Sequence, residues 1–351
     1  MLTDAGLNQI LDRITHLTVG VLGDLFLDRY LDIDASLTEP SLETGLDAYQ
    51  VIRVRSYPGA AGTVINNLAA LGVKHIRAFA IIGDDGEGHE LRQALAKLQA
   101  VDAGCVISWP DRRTPTYTKP MLHATSQPAR ELNRLDIKNH TQLPAEAENR
   151  LLEALSDAWP RLDALIVLDQ VREPECGVGT TRLRQHLETL AAKRPDKIIL
   201  ADSRQRIGYF HSVWLKPNQA ECVRAVPGLA DGPDMVRHAA MELARRARRP
   251  VFCTCGAAGI LIVDSRSACE WTRVVPAYPV KGPIDVVGAG DSTSAGIACA
   301  VAAGASLEEA AAFGNLLASI TIQQLGTTGT ASPGQVRQRW RQACDASSGG
   351  R

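Results

Sequence analysis

The sequence predicts an α/β fold: a doubly wound, mostly parallel sheet flanked by helices, with a small β lid. Three observations predict it. Short apolar runs rich in β-formers recur along the chain, alternating in the second half with helical stretches as repeated β-then-α units. Three of these runs end in a carboxylate, at Asp24, Asp169 and Asp202, on the side where open α/β sheets bind ligands. The stretch Tyr49–Arg55 alternates only in part, the pattern of a half-exposed antiparallel strand standing apart from the main sheet.

Leu17–Leu22 reads as a strand buried on both faces, followed by Asp24 and, four residues on, Asp28. A carboxylate accepts two directed hydrogen bonds, so both suit sugar hydroxyls, although Asp28 is equally suited to pair with Arg29 or solvent. Residues 31–57 and 112–136 read as lid segments, and lids exclude water from chemistry. Pro58-Gly59 opens a helix to about Leu71, closed by Gly72. Within it lie Asn66 and Asn67, one of which is expected to face a ligand or cap a neighbour. A strand and turn at 79–86 and a helix at 87–98 follow. Strands at 164–169, 197–202, 250–254 and 260–263 alternate with helices at 179–192, from 219, and at 235–247. Lys216, a lone lysine between them, reads as solvated, the alternative being that it adds charge near the phosphates.

The stretch from Ile284 ends in Gly288-Ala289-Gly290-Asp291 and opens a helix of small residues reaching Gly304. Glycine admits backbone angles closed to other residues and removes the Cβ atoms that would block a ligand. Such a loop aims free N–H groups at one spot, with the positive end of the helix dipole behind them, which makes an anion site. Asp291 stands at its rim as a proton acceptor; the plainer reading is an ordinary N-cap. Ser306 and Glu309 form a capping box for a helix to about Gln324. The polar loop 325–330 then offers carbonyls and hydroxyls to a cation or phosphate, and residues 346–351 read as a disordered tail after a single domain over 1–345.

Composition narrows the function. The 351 residues carry a net charge of -1, which excludes the electrostatic footprint of a nucleic-acid or anionic-membrane binder. No apolar run approaches the roughly 18 residues of a membrane span. Met1–Arg13 lacks the basic cluster and apolar stretch of a signal peptide, so a cytoplasmic location is expected. Of eight cysteines only Cys253 and Cys255 lie close together; they read as buried, reduced thiols on one strand face rather than metal ligands. No P-loop occurs, and the first strand does not run into G-x-G-x-x-G. Phosphate handling near the C-terminus with carboxylates and a lid near the N-terminus suits phosphoryl transfer from a nucleotide to a polyol.

Asp285–Asp291, Pro58-Gly59 with its helix, Lys216–Glu221, Thr254–Gly259, Asn315 and Leu325–Thr328 together resemble the ribokinase (PfkB) family of carbohydrate kinases, over roughly 17–333. Gly23–Tyr30, Asn133–Asp136 and Asp202-Ser203-Arg204 look most like the heptose-phosphate kinases within it. The resemblance implies a ribokinase-like fold using ATP and Mg²⁺, with K⁺ as a candidate monovalent cation. Asp291 would be the base, and the backbone of Gly288, Ala289, Gly290 and Asp291 the anion hole. Asn218 and Glu221 would orient magnesium through water; Thr254, Gly256 and Gly259 would line the nucleotide, with Asn315 near its base. Asp285 and the loop after Gly326 would hold the monovalent cation. Asp24, Asp28 and Gly59 would contact the sugar, and Arg134 a second phosphate on it. Thr63 stands where the family has an asparagine, Asn67 keeps a later amide, and Val287 replaces a common threonine. The alternatives are a nucleoside kinase of the same fold and a catalytically silent sugar- or nucleotide-binding regulator. The half-alternating lid strands would also pair between subunits, giving a homodimer.

Overall fold

A computed structural model describes residues 2–124, 128–266, 271–326 and 328–348. Thr327, Cys269, 125–127 of the second lid segment and 349–351 of the tail lie outside the described residues. Helix α1 (Asp4–Ile14) leads to strand β1 (Thr18–Gly23), and a single residue, Asp24, separates it from β2 (Leu25–Pro40). Then come β3 (Asp47–Ala60), α2 (Ala61–Ala70), β4 (His75–Gly83), α3 (Gly86–Ala96) and β5 (Val101–Trp109). Next are β6 (Thr116–His123), β7 (Arg130–Glu131), β8 (Leu135–Ile137), α4 (Ala145–Ala158), β9 (Ala164–Asp169) and α5 (Thr181–Lys193). The second half continues through β10 (Ile198–Ser203), β11 (Trp214–Leu215), α6 (Gln219–Arg224), α7 (Met235–Ala247), β12 (Val251–Thr254), β13 (Ile260–Asp264) and β14 (Trp271–Val275). Helices α8 (Ala289–Ala302), α9 (Leu307–Thr321) and α10 (Pro333–Ser348) close the chain. Helix α10 thus runs through part of the segment expected to be a disordered tail.

The main sheet has the order β14-β13-β12-β11-β10-β9-β1-β4-β5, parallel from β12 to β5, with β13 and β14 antiparallel at one edge. Its central strands are apolar because helices cover both faces. All six residues of β9 are buried. Fully burying Leu165, Ile166, Val167 and Leu168 contributes ~1.5–3 kcal/mol each, enough to hold this strand at the centre. One core packs α1, α2, α8, α9 and α10 on one face of the sheet; the other packs α4, α5 and α7 on the opposite face. Strand order reverses between β1 and β9, which opens a crevice at their carboxyl ends.

A second sheet stands over that crevice, in the order β3-β2-β6-β7 with β8 on β6. Its long β2–β3 ribbon is irregular after Asp32 and again after Asp34, where extra residues sharpen the twist. It returns to the main body at Ala60, which holds φ 52 although it is not glycine. The Ala61 N–H donates to the Asp24 carbonyl (3.1 Å), so both ends of the ribbon meet at Asp24.

Candidate active site

Asp24 is the joint between the two sheets. Its backbone N–H donates to the Leu168 carbonyl (3.1 Å), and its carboxylate accepts the N–H groups of Gln170 (2.8 Å), Val171 (3.0 Å) and Val178 (2.8 Å). One carboxylate therefore organises the loop leaving β9, and burial raises its pKa to about 6, aided by Asp169 and opposed by those three bonds. Asp24 still lines the crevice, as expected, but most of its accepting capacity serves the loop. Asp169 departs from expectation. It is fully buried, accepting from Arg206 Nη2 (2.5 Å) and Nε (3.1 Å) and from Ser203 Oγ (2.6 Å), so it does not join the strand-end carboxylates that face ligand. Arg206, three residues beyond β10, decides its fate.

The Gly-Ala-Gly-Asp stretch does form a helix start. Gly288 takes the left-handed angle φ 81 as the N-cap of α8, so Asp291 lies one turn in and is not the cap. The Ala289 N–H is already donated to the Val286 carbonyl (3.2 Å), which removes it from the expected anion hole. Among the described residues, the N–H groups of Gly288, Gly290 and Asp291 have no acceptor. A Cβ at 290 would lie 3.6 Å from Lys216 Nζ, an ordinary contact, so the buried lysine stands directly beside this turn of the helix.

Lys216 is not solvated: it is 3% exposed and pairs with Asp202 at 2.9 Å, while Ser294 Oγ of α8 donates to the same carboxylate (3.1 Å). Burial opposes the ammonium charge, but Asp202, Glu221 and Asp291 outweigh it and raise the lysine's pKa. Asp291, only partly exposed, is pushed up to about 7 by burial and by Asp202, against the pull of Lys216 and Arg204. A carboxyl poised near neutrality, next to unpartnered amides, can accept a proton at the rim of an anion site.

Two cavities meet at this helix start. The first, about 300 Å³, is lined by Asp24, Asp28, Thr63, Tyr117, Lys119 and Arg134 among others. The second, about 450 Å³, is lined by Asp202, Lys216, Asn218, Glu221, Thr254 and Gly290 among others. Gln170, Arg172, Arg204, Gly288 and Asp291 line both and form the shared wall. In the first cavity Asp28 lies 3.5 Å from Lys119, with burial raising its pKa against that lysine's pull. It does not pair with Arg29, which is held by Glu87 and Glu90. Gly59 makes room for it, since a Cβ would lie 2.6 Å from Asp28 Oδ2. Arg134 lies over the Tyr117 ring at 4.1 Å and grips Asp136 through two bonds of 2.6 and 2.8 Å. In the second cavity Asn218 and Glu221 cap α6 reciprocally (2.8 and 2.9 Å), leaving one Glu221 oxygen outside the capping box.

Other expected residues serve elsewhere. Asn67 is not among the first cavity's lining residues; its buried amide donates to the Thr63 carbonyl (2.9 Å), back-bonding along its own helix. Asn315 donates to the carbonyls of Val275 (3.0 Å) and Pro276 (3.1 Å), pinning the chain beyond β14. Gly256 and Gly259 take φ 56 and 98 in the tight turn between β12 and β13. Asp285 accepts the Val287 N–H (3.0 Å), and its own N–H donates to the carbonyl of Ile322 (2.8 Å), the C-cap of α9. Cys253 is buried as expected, but Cys255 falls just past the strand and is half-buried. Sequence reasoning gave no role to Lys119, Arg172 or Arg204. Lys119 lies on the lid and Arg172 just past a strand end, while Arg204 belongs to the Asp202-Ser203-Arg204 stretch that carries part of the family resemblance.

Residues 26–333 match the family described as pfkB family carbohydrate kinase. The bifunctional protein HldE of Bradyrhizobium diazoefficiens is 30% identical over 323 residues, covering 91% of this chain and 62% of that protein. The chain therefore spans under two thirds of that relative's length. Among solved structures, phosphofructokinase-2 from Escherichia coli in complex with potassium superposes with TM-score 0.66 at 20% identity, over 93% of this chain and 99% of the other. Ribokinase from Arabidopsis thaliana complexed with ribose and ATP gives 0.65 at 16%, over 92% and 98%. At those identities the two structures establish the ribokinase-like fold.

The raised carboxyl has a consequence for stability. Between its ordinary value of 3.8 and about 7, folded Asp291 keeps a proton that the unfolded chain releases, so stability falls as pH climbs through that window. Asp291→Asn removes this dependence. In thermal melts across pH, the variant's advantage over wild type should grow from pH 4 to 7 and then level off. A constant difference, or one that shrinks with rising pH, contradicts the assigned environment.

Proposed function

The chain belongs to the pfkB family of carbohydrate kinases, phosphotransferases with a hydroxyl acceptor, and on that premise we propose that it transfers the γ-phosphoryl group of ATP to a sugar phosphate. A heptose phosphate is the first candidate, on the resemblance of Gly23–Tyr30 and Asn133–Asp136. The observation that carries the reading is Asp291 in the wall shared by the two cavities, with unpartnered amides beside it. The acceptor occupies the first cavity, its hydroxyl toward Asp291, with Asp28 and Thr63 binding hydroxyls and Asp24 holding the loop over them. Lys119 and Arg134 favour an anionic acceptor.

The nucleotide phosphates occupy the second cavity, with the terminal one against Gly288, Gly290 and Asp291. Thr254 lines that cavity, and the turn at Gly256 and Gly259 adjoins it. Asn315 acts on the base indirectly, by fixing the strand end beside it. The free Glu221 oxygen, beside the cap residue Asn218, suits a magnesium ion reached through water, which would supply positive charge to the phosphates. Asp285 and the carbonyls of the 325–330 loop suit a monovalent cation such as K⁺. Phosphoryl transfer passes through a loose transition state, so alignment and charge stabilisation dominate. The acceptor proton leaves late, and a carboxyl titrating near 7 is matched to receive it. A nucleoside acceptor is less suited, because Arg134 already covers the Tyr117 ring on which a base would stack. A purely regulatory binder has no use for a base held at this pKa.

We read the second sheet as a lid on a single unit spanning 1–345, acting on small molecules in the cytoplasm. Among the described residues no helix is long and apolar enough to cross a membrane. Val51, Ile52 and Val54 are 44, 58 and 54% exposed on β3, the edge strand of the second sheet. Apolar side chains on a sheet edge invite pairing, so the lid joins two copies in a homodimer. Sedimentation at micromolar concentration should give twice the chain mass, and Ile52→Asp should give one; a monomeric wild type refutes the lid dimer.

ADP release with a panel of sugars and sugar phosphates tests the activity. Asp291→Ala should lower kcat by about 10² to 10⁴ while ATP still protects against thermal unfolding. Unchanged turnover in the variant removes the base assignment, and ligand protection in a wild type that turns over nothing favours the regulator.

A further inference from the structure

The cations around the two cavities sort into two groups. Lys119 faces Asp28, Arg134 and Lys138 face Asp136, and Lys216 faces Asp202. Arg112 donates to backbone carbonyls, of which Cys176 is the nearest (2.5 Å), and Arg224 donates to the Arg204 carbonyl (2.9 Å). The guanidinium groups of Arg172 and Arg204 have no hydrogen-bond or ion-pair partner among the described residues, and both stand in the shared wall. In a site where carboxylates are plentiful, a cation left unpaired beside an anion hole is available to an anion.

Arg204 is the better mounted of the two. It directly follows β10, its N–H donates to the Asp169 carbonyl (3.1 Å), and its own carbonyl is held by Arg224. The residues two before and two after it are locked in buried ion pairs, Asp202 with Lys216 and Arg206 with Asp169. The backbone is therefore fixed while the side chain remains exposed and free to swing. Its positive charge acts on Asp291 in the shared wall, on Glu221 of the nucleotide cavity and on Tyr117 of the acceptor cavity. Lining both cavities, the residue stands between the sites proposed for the two reactants.

We propose that Arg204 is a catalytic residue that grips the phosphoryl group in transit, from the side opposite the Gly288, Gly290 and Asp291 amides. The proposal rests on the kinase reading above. In the step itself the bond from the γ-phosphorus to the bridging oxygen breaks, and that oxygen leaves on ADP. A bond forms between the phosphorus and the acceptor oxygen, whose proton passes to Asp291. Charge spreads over the three non-bridging oxygens as both bonds lengthen, and a planar guanidinium matches two of them at once. Lysine offers the charge without the fork. Because Arg204 lowers the pKa of Asp291, the same residue also shifts the base toward its deprotonated form.

The test begins with wild-type enzyme, MgATP and three acceptors: ribose, fructose 6-phosphate and a heptose 7-phosphate. No ADP release with any of them, or with water alone, overturns the kinase reading before any variant is made. With an active acceptor in hand, Arg204→Gln should lower kcat on the order of 10³, with KM for both substrates within about twofold. Binding of ADP with aluminium fluoride and acceptor should weaken by a similar factor, while ADP alone binds as before. Arg204→Lys should recover part of the rate, and in Arg204→Gln the acid limb of kcat/KM should move to higher pH. An unchanged kcat overturns the proposal. So does a loss confined to acceptor KM, which would make Arg204 a holder of the acceptor's own phosphate. Melting temperatures equal to wild type, expected for an exposed side chain, separate these results from misfolding.

Discussion

The buried pair of Lys216 and Asp202 is the interaction on which the site depends. It joins the end of β10 to the residue after β11, and through Ser294 it takes hold of α8. Breaking such a pair leaves an uncompensated buried charge, typically a loss of about 3–5 kcal/mol. The pair therefore holds the helix start at one height above the sheet. It also sets the chemistry there, because Asp202 drives the Asp291 pKa up while Lys216 restrains it. Remove the lysine and Asp291 would hold its proton more tightly; remove Asp202 and Asp291 would become more acidic.

Around that pair the fold places two cavities by one rule, the reversal of strand order between β1 and β9. Asp24 fills the crevice with a carboxylate that three backbone N–H groups require. The same residue carries the β2–β3 ribbon out over the opening, so the first cavity and the second sheet share one anchor. The arrangement explains why an N-terminal carboxylate and a C-terminal glycine stretch, far apart in the chain, end in walls of the same cavity.

Much of this was legible in the sequence. The buried strands are apolar runs, and Gly288 of the Gly-Ala-Gly-Asp stretch takes the left-handed angle that favours glycine without tertiary context. Where reading failed, the deciding partner was distant or ambiguous. Lys216 looked solvated because its partner, Asp202, belongs to another strand. Asp169 and Asp202 looked alike at the ends of β9 and β10, yet Arg206 claims one and Lys216 the other. Asn67 looked available until its amide found the Thr63 carbonyl one turn back. Asp291 looked like a possible cap, but the left-handed Gly288 starts the helix earlier. Helices α1, α4 and α10 were missed, although α1 buries Leu7, Ile10, Leu11 and Ile14 and α4 buries Leu151 and Leu155 at helical spacing, a signal present in the sequence.

The central claim is geometric: Asp291 and the neighbouring amides stand between donor and acceptor. A crystal structure with ADP, magnesium, aluminium fluoride and the preferred acceptor tests it most directly. The account predicts fluoride atoms about 3 Å from the N–H groups of Gly288, Gly290 and Asp291, with the acceptor oxygen in hydrogen-bond reach of the Asp291 carboxyl. A fluoride group bound away from this helix start, or an acceptor oxygen turned from Asp291, would contradict it.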